Sequence, residues 1–229
     1  MIQQNIRLFI YLMGQQTKIL FTLSACINLT VFPGFKRVPK SIVVGIATVD
    51  RRRDFTYSTT IEKDKMKYPN TGKSAKFISF LRNELQPFIE KKYNTNSSKT
   101  IIGQSLGGPL ASEVLLTNRA MFDKYIIVSP SLWWDNGSLL KKSFDTLSSG
   151  FQPGLNVYIG VGKEGLMLED NPRMMEVDAK LLAEKIKSTK YKSVKVFSDY
   201  LPQEDHATIL HMAVFNALRY LNPAPSKAD

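Results

Sequence analysis

Three residue types, at three places in this 229-residue chain, could together do acyl-transfer chemistry. Ser105 stands inside Gly103-Gln104-Ser105-Leu106-Gly107, after the β-branched Ile101-Ile102 and before a helical stretch from Leu110 to Leu116. Strand, sharp turn, helix is the context in which Gly-x-Ser-x-Gly carries meaning. Glycines two before and two after let the backbone close into a strained turn that pushes the serine hydroxyl out at its tip. The Leu106 N–H and the helix N-terminus then face any oxyanion that forms on a bound carbonyl. A serine hydroxyl is a weak nucleophile until a base takes its proton, and the base needs a carboxylate to orient it. The chain has two histidines. His206, in the polar loop Gln203-Glu204-Asp205-His206, is the preferred base; His211 falls inside a helical stretch, where a packed or surface histidine is the default. The acid should follow the next-to-last strand, which puts Glu164 first, with Glu169 and Asp170 further along the same loop.

The elements that must position these groups can be read from hydropathy. Strands are predicted at Ile6 to Met13, Ile42 to Ala47, the elbow run, Tyr125 to Val128, Asn156 to Val161 and Val194 to Phe197. Between them, Gln15 to Phe32 has near-helical spacing, stopped by Pro33-Gly34. Ser74 to Tyr93 places Phe77, Phe80, Leu81, Leu85, Phe88 and Ile89 on one helical face, with a kink expected at Pro87. Gly137 to Leu147 reads as helix. Pro172 to Thr189 reads as a stronger one, with Pro172 in its first turn and Glu176/Lys180 as an i,i+4 pair. Thr208 to Leu221 closes the fold, and a polar tail follows. A long polar connection, Asp50 to Gly72, holds Arg51-Arg52-Arg53. Six strands alternating with helices predict one α/β domain over residues 1–229, its mostly parallel sheet covered by helices on both faces. Ligands in such folds collect beyond the carboxyl ends of the strands. Ser105, Glu164 and His206 each follow a strand end and should meet on that rim.

Composition excludes several alternatives. The net charge of +11 comes from 31 basic and 20 acidic residues in small scattered groups, and no aromatic-interleaved basic stripe suggests a nucleic-acid module. A single cysteine, Cys26, leaves no internal disulfide and no cysteine-based zinc site. With two histidines five apart, no metal centre is expected. No apolar run is long enough to span a membrane. Leu23-Ser24-Ala25-Cys26 has the form of a lipoprotein cleavage box, but cleavage there would discard the first strand, and a buried helix is the preferred reading.

Gly103-Gln104-Ser105-Leu106-Gly107-Gly108, Ser129-Pro130-Ser131-Leu132-Trp133-Trp134, Gly160-Val161-Gly162-Lys163-Glu164 and Glu204-Asp205-His206-Ala207 together resemble the putative-esterase family of α/β-hydrolases. That family takes in esterase D-like enzymes, enterochelin esterases, feruloyl esterases and mycolyltransferases. The resemblance runs from about Ile6 to Leu221. It implies an α/β-hydrolase fold, a serine hydrolase without cofactor, and a small-molecule ester as substrate, either a siderophore-type lactone or another acyl or aryl ester. Serine, acid and histidine would fall on Ser105, Glu164 and His206, and the oxyanion donors on Leu106 N–H and Gln15 N–H. The family's Asp-Gly pair before that second donor is replaced here by Met13-Gly14. Six strands stand where the family has eight, so the leading hairpin is expected to be missing. On that expectation the chain begins inside the domain, and its compartment is cytoplasmic as it stands or secreted if a signal precedes it. Trp133 and Trp134 are expected to divide between pocket wall and core. Arg53, with Arg51, would border the cleft and meet an anionic substrate. The competing readings are a catalytically impaired remnant acting as a binding protein, and an acyltransferase of the same fold.

Overall fold

Alternate side chains of the central strands part to opposite faces of one sheet, and two apolar layers follow from that alternation. In the first strand Leu8, Ile10 and Leu12 enter one layer while Phe9 and Tyr11 enter the other. In the fourth, Tyr125 and Ile127 part from Ile126 and Val128 in the same way. The computed structural model describes residues 6–13, 18–29, 38–144, 154–167, 172–189 and 194–223.

In chain order the elements are β1 (Ile6–Met13), α1 (Lys18–Leu29), β2 (Ser41–Ala47), α2 (Arg51–Phe55), α3 (Glu62–Lys67), α4 (Ser74–Phe80), α5 (Gln86–Lys92), β3 (Thr95–Ser105) and α6 (Gly107–Thr117). They continue as β4 (Lys124–Pro130), α7 (Trp134–Lys141), β5 (Leu155–Gly162), β6 (Leu166–Met167), β7 (Arg173–Met174), α8 (Met175–Lys187), β8 (Val194–Leu201) and α9 (Ile209–Leu221). The main sheet has the order β2-β1-β3-β4-β5-β8, and every pairing in it is parallel. These are the six strands that hydropathy predicts, in an α/β arrangement.

Helix α9 packs on one face through Ile209, Leu210, Ala213, Val214, Ala217, Leu218 and Leu221, a stripe at helical spacing that also meets Leu23 and Ile27 of α1. Cys26 therefore lies within a helix. On the other face α6 is buried from Gly107 to Leu115, as a helix behind an elbow must be, and α8 adds Ala179, Leu182, Ala183 and Ile186. Among the described residues no helix is long and apolar enough to cross a membrane.

Four details differ from expectation. The connection from Asp50 to Gly72 is not structureless: it forms α2, capped by Asp50 accepting from the Arg53 N–H at 3.0 Å, and α3. Pro172 does not open a helix, because Arg173-Met174 is extended and pairs antiparallel with Leu166-Met167, so that α8 starts at Met175. Strain at Pro87 is absorbed just before it, in a single π-helical segment, Leu81–Leu85, between α4 and α5. The predicted helix from Gly137 begins earlier, at Trp134, through a left-handed run at Asp135, Asn136 and Gly137; its predicted end lies outside the described residues.

Candidate active site

The elbow at the end of β3 forces Ser105 to φ 56°, the left-handed region that residues with a Cβ avoid. Its glycines are there for space. A Cβ on Gly103 would lie 2.1 Å from the Gly107 carbonyl oxygen, and one on Gly108 would lie 2.5 Å from Pro130 Cβ. Gly107 is less restricted, with Leu12 Cβ 3.3 Å from an added Cβ. The steric demand thus falls on Gly103 and Gly108 more than on the second glycine of the motif. Leu106 sits at the N-cap of α6 and borders the cleft, where its N–H is one of the helix's unpaired terminal donors.

The candidate base and acid come from the loops after β8 and β5. Glu164 Oε2 lies 2.8 Å from His206 Nδ1, with the Glu164 side chain 3% exposed and the His206 side chain 44% exposed. This contact occupies Nδ1 and leaves Nε2 for a substrate or a nucleophile. Lys163 N–H donates to the Glu204 carbonyl at 2.7 Å, tying the two loops together. The approach requires glycine at 162, where a Cβ would be 2.6 Å from that same oxygen. Gln104, beside Ser105, donates from Nε2 to the His206 carbonyl at 2.8 Å. Asp205 accepts from the Ala207 and Thr208 N–H groups at 2.8 and 3.0 Å, ordering the turn into α9; those hydrogen bonds hold its carboxyl below the usual carboxylate range. His211 lies inside α9, its Nε2 buried without a partner, and does not border the cleft.

Ser105, Leu106, Gln104, His206, Trp133 and Trp134 all line one cleft of about 810 Å³. Both tryptophans border it rather than dividing between wall and core, and they differ in burial. Trp134 is buried and donates from Nε1 to the Tyr57 carbonyl at 2.9 Å, whereas Trp133 is half-buried and packs edge-on against it at 6.4 Å. Asp135 Oδ1 accepts from Thr59 Oγ1, Thr60 N–H and Thr60 Oγ1 at 3.0, 2.7 and 2.9 Å, which pins the segment after α2 to this wall.

Arg53 is misplaced by the sequence reading. Its guanidinium turns back on Asp54, Nε and Nη2 at 2.8 and 3.0 Å from the two carboxylate oxygens, and it is not a cleft residue. Arg51 and Arg52 are. Helical geometry explains this: α2 is a single turn in which successive side chains point roughly 100° apart, a fan that no loop assignment could anticipate. Arg52 lies over the Tyr68 ring, 4.6 Å from its centroid. Arg51 is half-buried with Nε unpartnered; burial lowers its pKa and pushes that of neighbouring Tyr11 up to about 12. Gln15, Glu169 and Asp170 lie outside the described residues.

Sequence reasoning quoted Ser129 and Ser131 only as parts of a motif. Ser129 Oγ donates to Glu164 Oε1, and Ser131 Oγ lies 3.4 Å from Ser105 Oγ. Glu176, expected as an i,i+4 partner of Lys180, accepts the Glu164 and Gly165 N–H groups at 2.9 and 3.1 Å. No local periodicity could have revealed these, since each joins segments that only the fold brings together.

A family model described as "Putative esterase" matches residues 4–206. The chain belongs to this family. It is a hydrolase of the esterase class on an α/β-hydrolase fold. It is 29% identical over 197 residues to the ferri-bacillibactin esterase BesA of Bacillus subtilis, covering 80% of this chain and 67% of that one. It is 26% identical over 174 residues to the siderophore enterobactin esterase of Emericella nidulans, covering 66% and 57%. The chain thus spans about two thirds or less of the curated relatives it matches. The crystal structure of an IroE-like serine hydrolase from Shewanella oneidensis superimposes with a TM-score of 0.78 at 25% identity, over 94% of this chain and 70% of that one.

Proposed function

We propose that this esterase cleaves carboxylic esters through a Ser105–His206–Glu164 triad and an acyl-enzyme. The observation that carries the reading is the Glu164–His206 contact at 2.8 Å on the same cleft as an elbow serine at positive φ. Ser105 Oγ attacks the ester carbonyl while His206 Nε2 takes its proton, and Glu164 holds the imidazole in the tautomer that leaves Nε2 free to accept. The tetrahedral oxyanion forms where Leu106 N–H and the N-terminus of α6 stabilise it; Gln15 N–H is proposed as the second donor. His206 returns the proton to the leaving alcohol. Water, activated by the same imidazole, then releases the acid.

The substrate proposed is a siderophore-type ester. Support comes from the names of the two curated relatives and from Arg51 and Arg52 on the cleft, which suit the anionic oxygens of a catecholate or carboxylate. Trp133 and Tyr68 supply flat faces beside them for an aromatic acyl group. The test is intact mass after exposure to a fluorophosphonate, followed by product analysis with a catecholate trilactone and a neutral aryl ester. One adduct on the wild type and none on Ser105→Ala is expected. A folded wild-type protein without an adduct would sink the reading.

A further inference from the structure

Two serines at the carboxyl ends of neighbouring strands have positive φ: Ser105 on β3 at 56° and Ser129 on β4 at 39°. The first is explained by the elbow. The second is wholly buried and does not border the cleft, so it cannot touch substrate. Its hydroxyl instead reaches across to the next strand and donates to Glu164 Oε1. The other oxygen of that carboxylate faces His206 Nδ1. The Glu164 backbone is held from behind by Glu176 of α8. Both carboxylate oxygens are therefore committed, one to each side, inside a side chain 3% exposed.

The same turn reaches the nucleophile. Ser131 N–H donates to the Ser105 carbonyl at 3.0 Å, and Pro130 packs where Gly108 leaves room. The end of β4 thus touches the acid through Ser129 and the serine strand through Ser131. A glycine at 129 would relieve the left-handed backbone but would leave Glu164 Oε1 buried without its donor.

We propose that Ser129 is a positioning residue: its hydroxyl fixes the Glu164 carboxylate and shares its charge, so that Oε2 meets His206. The inference rests on the triad proposed above, and its readout is chosen to be independent of turnover. The variants are Ser129→Gly, which is unstrained at this φ, and Ser129→Ala, which keeps the Cβ; circular dichroism checks that each is folded. The chain has two histidines, so the imidazole titrations of His206 and His211 can be followed by NMR in wild type and variants. With Oε1 deprived of its donor, the carboxylate's charge falls more heavily on the imidazolium. The His206 midpoint is expected to rise in both variants while that of His211 stays put. Other charged groups on the His206 loop or lining the cleft (Asp205, and Asp50, Arg51 and Arg52) are unchanged in every protein compared. On an aryl ester, kcat should fall about tenfold or more with KM nearly constant. A His206 midpoint equal to wild type in folded Ser129→Gly overturns the proposal, as does a change in Ser129→Gly that Ser129→Ala does not share. A wild type that fails to label at Ser105 while its His206 midpoint still responds to Ser129→Gly would refute the esterase reading and leave this one standing.

Discussion

The two ends of the same strands both gather polar groups, and they do opposite things with them. At the carboxyl rim a hydroxyl and an imidazole of different strands border an open cleft, with a buried carboxylate against the imidazole and strained backbone at Ser105 and Ser129. At the amino end, Arg7 of β1 and Lys124 of β4 both donate to one atom, Asn222 Oδ1, each at 2.5 Å. Asn222 Nδ2 donates in turn to the Leu218 carbonyl at the end of α9. That second cluster holds like charges together, has no positive φ at its residues, and fastens the closing helix to the sheet. Polarity alone therefore does not mark the functional end. What marks it is complementary groups facing free volume, at the cost of backbone strain.

The comparison is broken most severely at the nucleophile. Ser105→Ala should lower kcat/KM by about 10⁴-fold or more while leaving the urea midpoint within error, since its hydroxyl makes only a long contact, 3.4 Å to Ser131 Oγ. Substituting Gln for Glu164 should lower kcat by about 10³- to 10⁴-fold, because an amide in that place can donate to Nδ1 and favour the wrong tautomer. Equal activity in that variant would show that another carboxylate serves. Gly103→Ala tests the strain directly: a Cβ 2.1 Å from the Gly107 carbonyl oxygen has nowhere to go, and a loss of roughly 3 kcal/mol or more in denaturant titration is expected.

The smallest effect belongs to the amino end, and it has the opposite sign. Burial, aided by Arg7, pushes Lys124 down from 10.5 to about 8. Between those values the unfolded chain binds more protons than the folded one, so stability rises with pH across that window; below about 8 the buried charge costs its full amount. Lys124→Met should therefore stabilise the fold at pH 7 by roughly 1–2 kcal/mol, with the gain shrinking as pH approaches 10.5 and with activity unchanged. Thermal melts from pH 7 to 10.5 measure it, and a destabilised variant would mean that the bond to Asn222 outweighs the desolvation.

Much of the carboxyl rim was legible in the sequence. Ser105, Glu164 and His206 could be put forward as candidates because a chemical requirement, a chain order and strand ends all constrain them; the structure brings Glu164 against His206 and sets Ser105 and His206 on one cleft. Arg53 was mistaken for its neighbours because the side-chain fan of α2 depends on where a one-turn helix starts. Glu176 was legible only as an i,i+4 pair with Lys180, since that spacing is a local property and the N–H groups it serves belong to another segment. The need for glycine at 108 is not local either: it is set by Pro130 of the next strand, which lies against it.

The sequence by itself determined the six strands, their alternation with helices, the elbow and the three residue types that the proposed chemistry needs, because period-2 and period-3.6 patterns and turn requirements are encoded within a few residues. Only the tertiary structure decided which arginines face the cleft, that Trp134 is wall and core at once, and that Ser129 reaches the acid. Those contacts join segments tens of residues apart, and their partners are chosen by the sheet order β2-β1-β3-β4-β5-β8, which no local pattern carries.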